Sequence, residues 1–325
     1  MADTLRSSDY VSYRDAAAAI LARHQGLEAV ETFGLADVFA DADCSPAYAF
    51  LEAQGFAGAV TPALSLLALA HPPTDAAVNL LALPFGGGRH VAVPGLFTGA
   101  AVVVDHPGTG LVALGETAPV TSGGPHADDY LTLFEAPSSG GDVVLPDAEM
   151  QSRRPAVLAR ARVGAAAEIL GVCERLIADA LTHVKARRQF GQALSSFQAV
   201  QHLLAWAATE IHQLRCLFDI AVVSSQETPG DPQLAETVKA LAGRVLHTVA
   251  QTCIQVSGAI SFTWEYSLNQ LHHRGLQLDQ LAGSSSQLVE TIGRRARTEG
   301  RLEPLFELSD LAPVAEKPEK IEGLP

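Results

Sequence analysis

The sequence predicts an α+β chain in three successive parts: a helical N-terminal region over residues 1–76, a small central β domain over 77–150 and a C-terminal helical bundle over 151–310. Three observations predict it. Ala- and Leu-rich stretches with helical spacing fill both flanks, and that composition favours helix. Between them, short β-rich runs are punctuated by Gly and Pro. The length, 325 residues, exceeds the usual size of one domain and leaves room for two or three packed units.

In the N-terminal part, "DAAAAILARHQGLEAV" (15–30) reads as one helix of high propensity. "SPAYAFLEAQGFAG" opens with Ser45 as N-cap and Pro46 at the first helical position, and Gly55 lies near its end. "VTPALSLLALAHPP" places Thr61 and Pro62 in the same roles, and His71-Pro72-Pro73 stops it. The central part contains "VNLLALPF", "HVAVPG", "GAAVVVDH", "GLVALGE", "DYLTLFEA" and "DVVLP", which predict a mostly antiparallel β unit. Gly86-Gly87-Gly88 lacks a following Lys-Ser/Thr and a helix, so it reads as a turn rather than a phosphate loop.

From 155 to 308 the pattern is helical. Ala166, Ile169, Cys173, Leu176, Ile177, Ala180 and Val184 form one apolar stripe. The next helix is expected to begin at Ser195, which has capping-box spacing to Gln198. Val200, Leu203, Leu204, Ala207, Ile211, Leu214 and Phe218 continue its apolar face. "ETPGDPQ" connects to a third helix opened by Asp231 and Pro232, running through Ile254 to about Ser257, and one or two helices follow residue 267. Long amphipathic helices with short connections describe an antiparallel four-helix bundle. The charged, proline-broken tail 311–325 reads as disordered.

A net charge of −14 argues against nucleic-acid or anionic-membrane partners. Cys44, Cys173, Cys216 and Cys253 are scattered, so no metal site is expected; the last three fall in helical patterns and read as buried small apolar residues in a reducing cytoplasm. The N-terminus shows no signal pattern, and no apolar run is suited to span a bilayer.

The stretch with the most chemistry is "ARRQFGQALSSFQAVQHLLA" (186–205). Arg187 and Arg188 end a helix, where positive charge complements the dipole; they equally suit an anion. Gln255 is followed by Val256-Ser257-Gly258-Ala259, small residues that admit another helix or a ligand.

"RRQFGQALSSFQAVQHLLA" followed by "CIQVSGAISFTWEYSLNQLHHR" resembles the C-terminal bundle of acyl-CoA dehydrogenases, as does the order helical, β, helical bundle. "GAVTPALSLLALA" resembles the short subunits of heteromeric acyl-CoA dehydrogenases that act on steroid side chains in actinobacteria. The resemblance implies FAD shared across a subunit interface. Arg187, Gln189, Phe190 and Gln198 match the residues that grip the pyrophosphate and adenosine of a neighbour's flavin; Gln255 and Gly258 match the adenine-end segment, where the family's second glycine is Ala259. Glu265 reads as structural.

The departures concern catalysis. The family's two positions for the proton-abstracting glutamate fall on Ala161 and on Ala282-Gly283, so no catalytic residue is assigned. Glu168 is the nearest carboxylate, about two turns beyond Ala161. The motifs that wrap the flavin ring have no equivalent in the β region. The resemblance thus implies a half-site subunit, lacking its own base, that holds the FAD nucleotide tail of a full-length homologue in an α2β2 complex acting on an acyl-CoA. Two alternatives are a self-sufficient homomer using Glu168 or another carboxylate and a flavin-free structural paralogue.

Overall fold

A computed structural model describes residues 8–40, 43–70, 79–87, 90–96, 100–114, 120, 130–137, 142–227, 231–263 and 265–300. The tail 311–325, Gly88 and most of the "ETPG" connection lie outside them.

Among the described residues five helices come first: α1 (Ser8–Leu21), α2 (Gly26–Phe33), α3 (Leu35–Ala40), α4 (Ser45–Ala57) and α5 (Ala63–Leu69). The single helix expected over 15–30 is two. Gly26 takes a φ of 58°, which an Ala there would resist, and its N–H donates to Val60 O at 3.1 Å. The expected caps shift by one residue. Ser45 lies inside α4 and its N–H donates to Asp43 Oδ1 at 2.8 Å; Pro62 is the N-cap of α5, with Thr61 Oγ1 accepting from Ala63 N at 3.2 Å. Pro in the first turn costs no intrahelical bond, so either register serves it.

Six strands follow: β1 (Asn79–Phe85), β2 (His90–Pro94), β3 (Ala101–His106), β4 (Gly110–Ala113), β5 (Leu131–Glu135) and β6 (Val143–Pro146). They form one sheet, ordered β5-β2-β1-β3-β4-β6, antiparallel except at the β1–β3 pair. Gly86 and Gly87, both at positive φ, begin the β1–β2 hairpin turn. Alternation divides the sheet: Leu81, Leu83, Val103 and Leu111 join the main core, whereas Leu80, Ala82, Val104 and Val112 build a second apolar cluster on the opposite face.

The spine is α6 (Asp147–Ala186), a 40-residue helix that contains Pro155 and begins earlier than the sequence suggested. Its C-terminal end leads into a two-residue hairpin, β7 (Arg188–Gln189) and β8 (Gln192–Ala193), then a 3-10 turn and α7 (Gln198–Glu227). The expected Ser195 capping box is absent: α7 starts at Gln198, and Ser195 O accepts from Gln201 Nε2 at 2.9 Å. Next come α8 (Pro232–Ser257), capped by Asp231 as expected, α9 (Ser267–Gln280) and α10 (Ser285–Glu299). Of the predicted stripes, Leu203 faces solvent instead, and Cys216 is half-buried while Cys173 and Cys253 are buried.

Close backbone contact locks α4 onto α6. A Cβ on Gly55 would sit 2.1 Å from Glu168 O, and one on Gly171 would sit 2.0 Å from Glu52 O, so neither glycine can be replaced without separating the helices. A buried carboxylate on α4 also ties it to α1 and α7. Glu52 takes Arg215 at 2.5 and 2.7 Å, Arg14 at 2.8 Å and the Tyr10 hydroxyl at 3.0 Å. A buried carboxylate survives only with such partners. No helix among the described residues is long and apolar enough to cross a membrane.

Candidate functional site

Because α6, α7 and α8 are joined in sequence and packed antiparallel in turn, the C-terminus of α6, the N-terminus of α7 and the C-terminus of α8 share one end of the bundle. Contacts there confirm it: the His183 ring, near the end of α6, lies 5.8 Å from that of Tyr266, and Ser267 Oγ donates to Asp179 Oδ2 at 2.6 Å. All six sequence-predicted residues, Arg187, Gln189, Phe190, Gln198, Gln255 and Gly258, come to this end and are exposed.

The local backbone explains their presentation. Arg187 N–H closes the last turn of α6 on His183 O at 2.8 Å, after which the chain leaves the helix. Arg188 pairs with Ala193, and Gln189 with Gln192, so Phe190-Gly191 form the turn, at φ of 52° and 83°. A non-glycine at positive φ is strained. Phe190 bears that strain while 88% exposed, its ring touching only the edge of Phe197 at 6.2 Å. Gly258 ends α8 at φ 70°, ψ −149°, a conformation open to glycine; a Cβ there would meet nothing within 4 Å, so space lies beside it. Among the described residues the Arg187 and Arg188 side chains make no hydrogen bond or ion pair. Two free guanidinium forks, an exposed ring, three amides and an open glycine fit a phosphate-bearing, aromatic-headed ligand.

The two places where a base was sought are also neighbours. Arg162 Nε, beside Ala161, donates to Ala282 O at 3.1 Å. Both alanines are buried. The loop around Ala282 is tied to the sheet by Ala282 N–H to Pro84 O at 2.9 Å, and Lys239, wholly buried, donates to Asp279 O at 2.9 Å and Gly283 O at 3.4 Å. Burial pushes the Lys239 ammonium down to about 8, against the opposing pull of Asp279. The carboxylates nearby are engaged: Glu236 binds Arg162 at 3.1 Å and Arg295 at 2.7 Å, and Asp279 accepts from Ser285 N at 3.1 Å.

Glu168 is no base. It is fully buried, accepts from the Tyr130 hydroxyl at 2.7 Å and Arg274 Nε at 2.9 Å, and Arg274 also lies 4.1 Å over the Tyr130 ring. Burial, then the Glu168 charge, raises the Tyr130 phenol well above its ordinary value. This knot fastens the sheet to α6 and α9. The β domain meanwhile presents, between the ends of β1 and β3 and α6, a cavity of about 370 Å³ whose walls are apolar apart from Asp105 and His106. Asp105 is held by Arg154 at 2.5 Å, and His106 Nδ1 lies 3.1 Å from Thr109 Oγ1.

Sequence reasoning missed Arg162, Lys239 and Arg274. Ser284 and Gln287 could have been found, since they have capping-box spacing and form one. Nothing in the local pattern of a buried lysine announces its distant carbonyl partners.

Residues 155–297 match the family model "Acyl-CoA dehydrogenase, C-terminal domain". Acyl-CoA dehydrogenase IpdE2 of Mycobacterium tuberculosis is 32% identical over 137 residues, which is 42% of this chain and 39% of that protein. The short-chain specific acyl-CoA dehydrogenase of Megasphaera elsdenii is 31% identical over 138 residues, 42% of this chain and 36% of its own. The aligned stretch therefore spans about two fifths of these relatives' length. Solved structures extend the likeness in fold: a Tcur3481-Tcur3483 steroid ACAD variant has a TM-score of 0.70 at 22% identity, covering 90% of this chain and 98% of its own. The ChsE4-ChsE5 complex from Mycobacterium tuberculosis has a TM-score of 0.67 at 19% identity, with the same coverage. Residues 155–297 are thus similar in sequence to the acyl-CoA dehydrogenase C-terminal domain, and the described architecture has an acyl-CoA dehydrogenase-like fold.

Proposed function

We propose that this chain is a half-site subunit of an FAD-dependent acyl-CoA dehydrogenase. It holds the nucleotide tail of a flavin whose ring is seated in a full-length homologous chain, in an α2β2 assembly in the cytoplasm. The observation that carries the reading is an asymmetry: Arg187, Arg188, Phe190 and Gln198 face outward with free donors and surfaces, whereas both base positions are alanine beneath cations that are already bonded. When bound, the flavin supplies the hydride acceptor for α,β-dehydrogenation of an acyl-CoA. This chain's part is to bind: Arg187 and Arg188 would hold the phosphates, Phe190 and Gln198 the adenosine end, and Gln255 with Gly258 the adenine edge. The α-proton goes to a partner carboxylate. A steroid-derived acyl group is the substrate class suggested by one structural neighbour, the Tcur3481-Tcur3483 steroid ACAD.

Glu168 as the base of a homomer is disfavoured by its two buried partners, and a scaffold with no flavin has no use for two unpaired arginines. The test is the flavin-to-protein ratio of the chain purified alone and co-expressed with its full-length homologue. Little flavin alone and about one per two chains in the complex is expected. A stoichiometric flavin spectrum from the lone chain overturns the half-site reading.

A further inference from the structure

Arg160 stands apart from the other arginines of the interior. Among the described residues, each of the other buried or half-buried arginines pairs with a carboxylate, as Arg154 does with Asp105, Arg162 with Glu236 and Arg274 with Glu168. Arg160 is half-buried, and its bonds go to backbone carbonyls: Nε donates to Leu67 O at 3.2 Å and Nη2 to Ala68 O at 3.0 Å. Those bonds brace the end of α5 and leave the charge unanswered. Burial pulls the Arg160 guanidinium below its ordinary value, opposed by Cys44 and Tyr48; burial raises both of those groups, so neither is ionised near neutral pH. Two turns earlier on the same face of α6 is Arg153, exposed and without a hydrogen bond or ion pair among the described residues.

The two arginines line one cavity, of about 360 Å³. Leu69 closes it from α5, Leu111 and Leu145 from the sheet, and Met150 and Val157 from α6; all five are buried. Ser152 is the remaining polar side chain in its wall, and no carboxylate lines it. The chain as a whole carries −14, so cations without acids around an apolar space are a local departure. The cavity beside β1 and β3 is of similar size, but its acid, Asp105, is already held by Arg154.

An apolar space alone suits any hydrocarbon. A partly desolvated charge with no counter-ion adds a demand, because an anion brought to it offsets the cost of its burial. The planar carboxylate also matches the free fork of Arg153. A sugar or a phosphoanhydride would set polar atoms against Leu111, Leu145 and Met150, where nothing bonds them. Benzene fills a cavity of about 150 Å³, or about 25 Å³ per non-hydrogen atom, so this one has room for about fourteen such atoms.

We infer that this cavity binds a medium-chain aliphatic carboxylate, with its head between Arg153 and Arg160 and its chain against Leu111, Leu145 and Met150. The site lies about 40 Å along α6 from Arg187, and the inference does not rest on the flavin reading.

The test titrates sodium decanoate into the full chain alone, followed by calorimetry. One site per chain is expected, with a Kd of roughly 100 µM or tighter. Decanol has the same chain and no charge and should bind at least about tenfold more weakly; R153A should cost decanoate a similar factor. Because R160A would also release the end of α5, the second variant is A156F. It fills the cavity from α6, keeps both arginines, and should abolish binding without lowering the melting temperature. R187A, at the far end of the helix, should bind decanoate as the unaltered chain does. Four results overturn the inference: no saturable heat; decanol within about threefold of decanoate; an affinity within about threefold of the unaltered chain in either R153A or A156F; or decanoyl-CoA displacing decanoate and binding more tightly, which would make the thioester the ligand. Loss of binding in R187A would place the anion at the other end of α6 and overturn it as well.

Discussion

The two ends of α6 use the same residue type in opposite ways. Toward its N-terminus, Arg154 bonds Asp105 and Asp147, Arg160 bonds Leu67 O and Ala68 O, and Arg162 bonds Ala282 O and Glu236. Past its C-terminus, Arg187 and Arg188 bond nothing among the described residues. The first set fastens the sheet, α5 and the Ala282 loop to the spine; its donors are satisfied, and removing one partner strands another. The second set has satisfied nothing, so its removal costs the fold little and, on the proposed function, the flavin much. Arginine content says nothing about function here; whether the forks are already filled does.

The strongest way to break that comparison is to attack a filled fork. Glu168→Gln leaves Arg274 buried without its counter-charge, and losing one partner of a buried pair costs about 3–5 kcal/mol. Denaturant unfolding should show that loss. A change within about 0.5 kcal/mol would mean that the knot with Tyr130 is not structural and would reopen a chemical role for Glu168.

At the other end, Arg187→Ala should leave stability within about 0.5 kcal/mol, as for a surface substitution. In the assembled complex it should weaken flavin retention by about ten- to a hundredfold, the equivalent of about 1.5–3 kcal/mol for a lost charge-assisted contact. Flavin titration of the apo-complex measures it. Unaltered affinity would remove Arg187 from the cradle.

Between these extremes lies Lys239, a filled but titratable cation. Its folded value, about 8, is below that of an unfolded lysine, so over the window between them the unfolded chain binds more protons. Stability contributed by this residue therefore rises with pH through that window, by about 2 kcal/mol from about pH 7.5 to about pH 9.5. Below about pH 7 both states are protonated and the penalty is constant. The slope should vanish in Lys239→Met, measured by the same unfolding assay at each pH. A slope that persists in the variant assigns it to another group.

How far could the sequence be read? Element type was legible wherever a local rule acts: the six strands stand where β-rich runs meet Gly or Pro, and Asp231-Pro232 caps α8 because capping needs only neighbouring residues. Boundaries slipped where tertiary contacts decide. Gly26 splits a helix-forming stretch because its N–H is claimed by Val60 O, and α6 runs back to Asp147 through Pro155, whose missing N–H a long, well-packed helix tolerates. The residues of the proposed cradle could be named because they lie in two short motifs, and the structure brings them to one end of the bundle, exposed. The braced loop at Ala282 was not legible, since Arg162, Lys239 and Pro84 reach it from three distant segments. The same distance hid Glu168's role: its partners are 38 and 106 residues away.

The smallest effect tests the most exposed feature. Phe190 holds a positive φ of 52° that costs an L-residue about 1–2 kcal/mol, and its ring recovers only an edge contact with Phe197. Gly191 already supplies the second left-handed position, so the two-residue turn does not depend on the ring. Phe190→Gly should relieve the strain. Part of that gain is offset by the greater freedom of glycine in the unfolded chain, leaving a net stabilisation of about 0.5–1 kcal/mol. In the complex the same change should weaken flavin binding, because an aromatic surface at the adenosine end is removed. Stability and affinity would then move in opposite directions, as they do where strain is kept for a ligand. Phe190→Ala separates the two: it keeps most of the backbone strain and loses the ring, so its flavin affinity should match that of the glycine variant while its stability does not rise. If Phe190→Gly destabilises the isolated chain, the ring is holding the hairpin together, and its place in the cradle has to be given up.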